Sequence, residues 1–122
     1  MATLPIWKWL LLLLYPFAVG IGQILFKMAS NRMGPGQPLV QYIFEPFLLA
    51  AMTLYFALAL FWVYIIKFLP ISVAYPFVAL SFIFTPLLAW MLLNEQLSGR
   101  YIFGILLICA GVIVTQGATY AK

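Results

Sequence analysis

A stripe of residues at four-residue spacing holds the first side chains that could do chemistry: Tyr15, Val19, Gln23 and Lys27. On a helix this spacing puts all four on one face. An amide and an ammonium one turn apart suit an anionic group, such as a phosphate, at the boundary of an apolar segment. A structural interpretation stays open, because a lysine near a helix end also extends its stem along apolar surface to reach water.

A tyrosine in the second half of the chain is the next candidate. Tyr75 precedes Pro76, which lacks a backbone donor and leaves the Ser72 carbonyl without its usual partner. We therefore expect a kink near Tyr75. Its phenol either donates to a substrate oxygen or packs against neighbouring helices.

Groups for catalysis and metal binding are scarce in this sequence. The chain has no histidine, a single cysteine at Cys109 and two carboxylates, Glu45 and Glu95, both expected near helix ends. A nucleophile with its base, an acid–base pair or a metal cage needs more converging groups than these. We predict no catalytic residues, no metal and no cofactor.

Composition identifies the elements that must position these side chains. With 67% hydrophobic and 7% charged residues, the chain cannot cover itself with a polar surface. The charges bound four uncharged stretches at 9–26, 47–66, 71–93 and 101–121. Each has about 18 residues or more, enough to cross a hydrocarbon core of about 30 Å as a helix. The sequence predicts an all-α membrane protein, one domain over 1–122, with helices at about 7–28, 46–66, 71–93 and 101–120.

The connections between these helices predict antiparallel neighbours. Only the segment 28–45 is long, and its prolines and glycines at 34–38 exclude a helix. The turns near 67–70 and at 94–100 are short, which forces each helix to return beside the previous one. The first stretch is longer than the apolar part of a signal peptide, and no soluble domain follows a cleavage site, so we expect it to be retained.

Charge does not fix the orientation in the membrane. The termini and the 67–70 turn share one side, and the long loop and the 94–100 turn share the other. The positive-inside rule sets three cations against three: Lys8, Lys67 and Lys122 against Lys27, Arg32 and Arg100. A chain that inserts both ways into an antiparallel dimer has this pattern, and small counts also tie by chance.

Small residues along one side of the fourth helix indicate a packing face. Gly104, Gly111 and Thr115 allow another backbone to approach closely. The contact lies either within one chain or between two chains, and the spacing does not choose between them.

Four short motifs in order resemble the small members of the drug/metabolite transporter superfamily. They read GQILFK at 22–27, LPISVAYP at 69–76, NEQLSGR at 94–100 and GILLICAGV at 104–112. The resemblance covers nearly the whole chain except the long loop. It implies a four-helix bundle like that of the small multidrug resistance family, and a dimer with the fourth helix at the contact.

The small multidrug resistance family is one of two similar branches. Its exchange of cations for protons depends on a glutamate within the first helix, and a tryptophan usually lines its cation site. Val19 and Val78 stand at these two positions here. Without the carboxylate nothing offsets the burial of a lipophilic cation, so cation export is disfavoured.

The other branch comprises the flippase subunits for 4-amino-4-deoxy-L-arabinose-phosphoundecaprenol. The shared residues are Gly22, Gln23, Lys27, Ala74, Tyr75, Pro76 and Glu95. The resemblance implies movement of a polyprenyl-phosphate sugar across the bacterial inner membrane. Lys27 would then bind the phosphodiester, and Gln23 and Tyr75 the sugar hydroxyls, while the lipid tail stays in the membrane.

Glu95 and Arg100 are weaker candidates for binding the sugar. They either contact a sugar amine or hydroxyl, or cap helices and pair with each other for about 0–1 kcal/mol. The expected partners are membrane lipid, the polyprenyl-phosphate sugar and a second copy or similar subunit, with no nucleic acid. Two other functions stay open: an exporter of small or cationic solutes, and an accessory subunit of a membrane glycosylation complex.

Overall fold

The computed structural model describes the backbone of residues 5–120 and the side chains of residues 5–117. Five α-helices follow one another: α1 (Ile6–Asn31), α2 (Pro46–Phe68), α3 (Ile71–Val78), α4 (Ser81–Leu93) and α5 (Gly99–Tyr120). α3 and α4 form one apolar span, Ile71–Leu93. In the described part of the chain, four segments are therefore long and apolar enough to cross a membrane. The predicted all-α architecture with four spans is confirmed.

The third span is interrupted at Ala79 and Leu80, one turn beyond the kink expected near Tyr75. The Ala79 N–H donates to the Pro76 carbonyl at 3.1 Å, and the Leu80 N–H donates to the Phe77 carbonyl at 3.1 Å. These are the tighter bonds of a 3₁₀ turn. The interruption lies between two prolines, Pro76 and Pro86, that each lack a donor, so the backbone between them departs from α-helical geometry.

Local signals in the sequence set two of the helix boundaries. The Glu45 carboxylate accepts from the Leu48 N–H at 2.9 Å, and Pro46 occupies the first turn, so α2 begins there. The Ser98 hydroxyl accepts from the Tyr101 N–H at 3.2 Å and caps the start of α5.

The long loop has a defined structure of its own. It begins after Asn31, so Lys27 belongs to α1, and it includes a 3₁₀ turn at Leu39–Tyr42. The Tyr42 hydroxyl donates to Gln37 Oε1 at 2.5 Å. Arg32 and Glu45 form an ion pair at 3.2 Å that ties the end of α1 to the start of α2.

Helix α1 is the centre of the fold and packs on both α2 and α4. Ring contacts join α1 to the third span. Trp9 contacts Phe77 with ring centroids 5.7 Å apart, and further along both segments Phe17 contacts Phe84 at 5.6 Å. α1 and the third span therefore run in the same direction. Lys8 and Lys67 lie on the side of the termini, and the long loop and the α4–α5 turn lie on the other. Lys122, counted above, lies outside the described residues.

The core is small and lies toward the terminal side. It consists of Leu12, Ile65, Leu69, Val73 and Ala74, ringed by aromatic side chains. Helix α5 stands apart from it and packs mainly against α3. No residue in the most apolar stretch of α5 is buried within the chain. A polar contact joins the two helices, where Gln116 Nε2 donates to the Val73 carbonyl at 2.9 Å.

Candidate functional site

A cavity of about 290 Å³ lies between α1, α4 and the start of α5, and we call it the polar cavity. Its lining residues are Val19, Gln23, Ser81, Phe82, Thr85, Pro86 and Tyr101. The polar groups in this set are one amide and three hydroxyls, and no lining side chain is charged. Such neutral donors and acceptors suit a ligand rich in hydroxyl groups.

Gln23 is held in place from the neighbouring helix. Its Nε2 donates to the hydroxyl of Tyr55 on α2 at 2.7 Å. The Tyr55 hydroxyl in turn donates to the Val19 carbonyl at 3.3 Å, and its ring stacks on Phe26 with centroids 5.1 Å apart. One amide hydrogen is thus committed to Tyr55. The amide oxygen and the other hydrogen remain for a ligand.

Two glycines of α1 bring the surrounding helices close enough to build the cavity. A Cβ on Gly22 would lie 2.5 Å from Tyr55 Cε2, a distance that real side chains do not tolerate. A Cβ on Gly20 would lie 3.2 Å from Thr85 Oγ1. Both glycines therefore act as close-approach positions, as small residues commonly do between membrane helices.

Lys27 lies one turn from Gln23 toward the long loop. Its side chain is exposed, and it forms no ion pair with the carboxylates among residues 5–117. It does not line the polar cavity, but it shares a helix face with Gln23, as the spacing predicted. An ammonium at this position is available to an anion near the membrane boundary.

Tyr75 is not brought together with Gln23. It is exposed and lines a different cavity, of about 400 Å³, between α3, the start of α4 and α5. Its ring meets Trp62 edge-on with centroids 6.2 Å apart. Phe82 is the residue that lines both cavities. The sugar-binding set inferred from resemblance is therefore divided between two places along the third span.

Glu95 is exposed in the α4–α5 turn and Arg100 is exposed in the first turn of α5, and they form no ion pair with each other. The Glu95 backbone N–H donates to the Ala89 carbonyl at 3.3 Å and closes α4 behind Asn94, whose φ is 55°. The Glu95 backbone therefore has a structural role, and the residue is exposed to solvent. The hydroxyl of Ser98 caps α5, and Arg100 does not.

Two glycines on one face of α5 have open space around them among the described residues. A Cβ added to Gly104 or Gly111 would meet nothing within 4 Å. The Thr115 hydroxyl donates to the Val112 carbonyl of its own helix at 2.8 Å. The two glycine positions are open, and packing among the described residues does not explain them.

Three polar residues of the site were not singled out from the sequence: Tyr55, Tyr101 and Gln116. Each is a hydrogen-bonding side chain within or beside an apolar span, which is the signal that could have found them. Tyr55 orients Gln23, Tyr101 lines the polar cavity and Gln116 joins α5 to α3.

Residues 7–116 match the EamA-like transporter family. The chain therefore belongs to this family of multi-pass membrane transporters, and the resemblance to the drug/metabolite transporter superfamily is confirmed. No solved structure matches the chain.

Among its relatives are several probable 4-amino-4-deoxy-L-arabinose-phosphoundecaprenol flippase subunits ArnE. The protein from Erwinia tasmaniensis is 36% identical over 98 residues, which cover 80% of this chain and 86% of the relative. The protein from Enterobacter sp. is 41% identical over 59 residues, 48% of this chain and 55% of the relative. The protein from Salmonella enteritidis is 37% identical over 57 residues, 47% and 51% of the two chains.

Proposed function

We propose that this chain is one subunit of a flippase that moves a polyprenyl-phosphate-linked sugar across the bacterial inner membrane. The observation that carries the proposal is the polar cavity, in which Gln23 is fixed by Tyr55 inside a bundle whose spans are otherwise apolar. An amide and hydroxyls within membrane spans are costly in lipid unless they are hydrogen-bonded. A sugar passing between the leaflets is a ligand that uses them, and the names of the relatives specify such a substrate.

Charge near this cavity supports a role in binding the phosphate. Lys27 lies on the same face of α1 as Gln23, one turn nearer the long loop, and its ammonium is exposed. The polar cavity itself has no charged lining residue. A phosphodiester at the membrane boundary can therefore pair with Lys27 while the attached sugar enters the cavity.

A second subunit completes the proposal. The most apolar stretch of α5 buries none of its residues within the chain, and Gly104 has open space around it. Dimerisation through α5, with a second copy or a similar subunit, would cover this surface. Cross-linking in native membranes should give a dimer that Gly104→Leu weakens. A monomer as the sole species would contradict this part of the proposal.

The flippase proposal is tested by native mass spectrometry of the purified protein with undecaprenyl-phosphate aminoarabinose. Wild type should retain the lipid, and Lys27→Ala should retain about tenfold less because a charge-assisted contact is lost. Lys67→Ala is the matched control, since Lys67 is also an exposed lysine near a helix end, on the opposite side. If wild type retains no polyprenyl lipid and binds a quaternary ammonium, the protein is an exporter of cations.

A further inference from the structure

The cavity lined by Tyr75, between α3, the start of α4 and α5, has a surface almost wholly of hydrocarbon, and we call it the apolar cavity. Its lining residues are Tyr75, Pro76, Val78, Ala79, Phe82, Ile108, Gly111, Val112 and Thr115. None of these side chains is charged. At about 400 Å³ it falls within the range of cavities that bind small ligands or parts of larger ones.

The apolar cavity adjoins the polar cavity. Phe82 lines both, and the interruption of the third span lies at their junction. Ala79 lines the apolar cavity, and Ser81, two residues later, lines the polar cavity. Within a single turn of backbone, the third span thus contributes a methyl group to the apolar cavity and a hydroxyl group to the polar cavity.

This adjacency limits what the apolar cavity can hold. A polyprenyl-phosphate sugar has a polar head joined covalently to a hydrocarbon chain, so the chain must leave the head beside the polar cavity. A hydrocarbon segment there is best accommodated by an apolar surface that adjoins the polar cavity. The apolar cavity meets both conditions.

A third described cavity, the rear cavity, does not meet them. It is lined by Ile83, Leu87, Trp90, Leu97, Ile102 and Ile105, and its volume of about 420 Å³ is similar. It is also apolar, but it shares no lining residue with the polar cavity. Ile83 and Leu87 lie on a different face of α4 from Ser81 and Thr85. Size and apolarity are therefore matched, and only the connection to the polar cavity differs.

We propose that the apolar cavity is the binding site for an isoprenoid segment of the transported lipid. This inference rests on the proposed flippase function and adds to its substrate site a part that binds the hydrocarbon chain. The sugar occupies the polar cavity, and the phosphate lies on its long-loop side near Lys27. Isoprene units that turn back past the head lie against Tyr75 and Ile108, beyond Phe82. The rest of the chain remains in the bilayer. Tyr75 is then a contact for hydrocarbon and not for sugar hydroxyls.

Two isoleucines on α5 provide a matched pair of variants. Ile108 lines the apolar cavity and Ile105 lines the rear cavity, and both are half-buried. Ile108→Trp fills the apolar cavity, and Ile105→Trp fills the rear cavity with the same bulk. The probe is undecaprenyl phosphate, which has the chain and the phosphate but no sugar. Retention by the full-length protein is measured by native mass spectrometry, and size-exclusion chromatography and circular dichroism check the fold.

The expected result is that Ile105→Trp retains undecaprenyl phosphate like wild type. Ile108→Trp should retain about tenfold less, the effect of leaving roughly two methylene groups unburied. Equal retention by the two variants would overturn the proposal while leaving the flippase function intact. Failure of wild type to retain any polyprenyl phosphate would instead refute the proposed function. Displacement of the probe by an equal amount of phosphatidylglycerol would show that the cavity takes any lipid chain, and would also overturn the inference.

A second measurement needs no variant and is independent of folding defects. A polyprenyl phosphate with diazirines in its isoprene units is photolysed with wild-type protein, and the labelled peptides are sequenced. The proposal predicts labels within 75–82 and 108–115. Labels concentrated at 83–90 and 102–105 would assign the chain to the rear cavity and overturn the proposal.

Discussion

The α1–α2 pair and helix α5 use the same residue type with opposite results. Gly22 lies so close to Tyr55 that an added Cβ would come within 2.5 Å of the ring, whereas an added Cβ on Gly111 would meet nothing within 4 Å. In the pair, glycine allows two helices to meet. In α5, glycine leaves empty space beside the helix. A small residue in a membrane helix therefore marks either a contact that is already made or a space for something else.

The two regions also differ in how polar groups hold them. The α1–α2 pair is joined by the bond from Gln23 to Tyr55 and by the ion pair between Arg32 and Glu45. Helix α5 is tied to α3 by the bond from Gln116 to the Val73 carbonyl. The first region is closed by these contacts, and the second leaves the apolar cavity open between α3, α4 and α5.

The largest expected effect on stability is that of substituting Gly22, compared with substituting Gly111. Gly22→Ala should lower the free energy of unfolding by about 1–3 kcal/mol, because Tyr55 must move to admit the methyl group. Gly111→Ala should leave it unchanged or raise it by up to about 1 kcal/mol. Both substitutions raise helix propensity equally, so their difference isolates the contact. Unfolding in mixed detergent micelles measures it, and equal stability of the two variants would break the comparison.

A smaller effect is expected at the loop that joins α1 to α2. Glu45→Ala removes both the ion pair and the cap on Leu48, and should cost about 1–2 kcal/mol. Arg32→Ala removes the ion pair but leaves the cap, and should cost about 0–1 kcal/mol. The same unfolding assay compares them. If the arginine variant proves the less stable, the cap is not what holds the start of α2.

The tie between α5 and α3 is the next to be tested. Gln116→Leu should cost about 0.6–1.7 kcal/mol, the range for hydrogen bonds between membrane helices. Cys109, half-buried on α5, reports local opening through its rate of labelling by a maleimide. We expect faster labelling in this variant and no change in Tyr55→Phe. Unchanged labelling in the glutamine variant would show that α5 is held by other contacts.

The smallest stability effect is expected at Tyr55. Tyr55→Phe keeps the ring against Phe26 but loses the hydroxyl that orients Gln23, at a cost of about 0.6 kcal/mol. Retention of the sugar-bearing lipid should fall, while retention of undecaprenyl phosphate should not. Tyr15→Phe is the control, because the Tyr15 hydroxyl makes no hydrogen bond among residues 5–117. Equal loss in both variants would remove Tyr55 from the site.

Local chemistry made much of the fold predictable. Charges at the span ends bounded the helices within a few residues, and Glu45 before Pro46 marked the start of α2. The interruption of the third span was expected near Tyr75 and lies at Ala79 and Leu80. A proline shows that a backbone bond is missing, but neighbouring contacts decide where the chain yields.

The candidate site was only partly predictable for a related reason. Gln23 and Lys27 share a face because helical spacing requires it, and that expectation is met. Tyr75 was grouped with them through family resemblance, although helical periodicity gives no distance between helices. Tyr55 went unnoticed because a tyrosine in an apolar span is ordinary until a partner such as Gln23 lies opposite.

The sequence by itself determined that this is a four-span membrane protein of the EamA-like family, because hydrophobicity and helix length are properties of consecutive residues. Only the tertiary structure decided which polar groups meet. It joined Gln23 to Tyr55, separated Gln23 from Tyr75 and put Phe82 between two cavities. These outcomes depend on how helices pack against one another, and packing is set by the shapes of residues far apart in the chain.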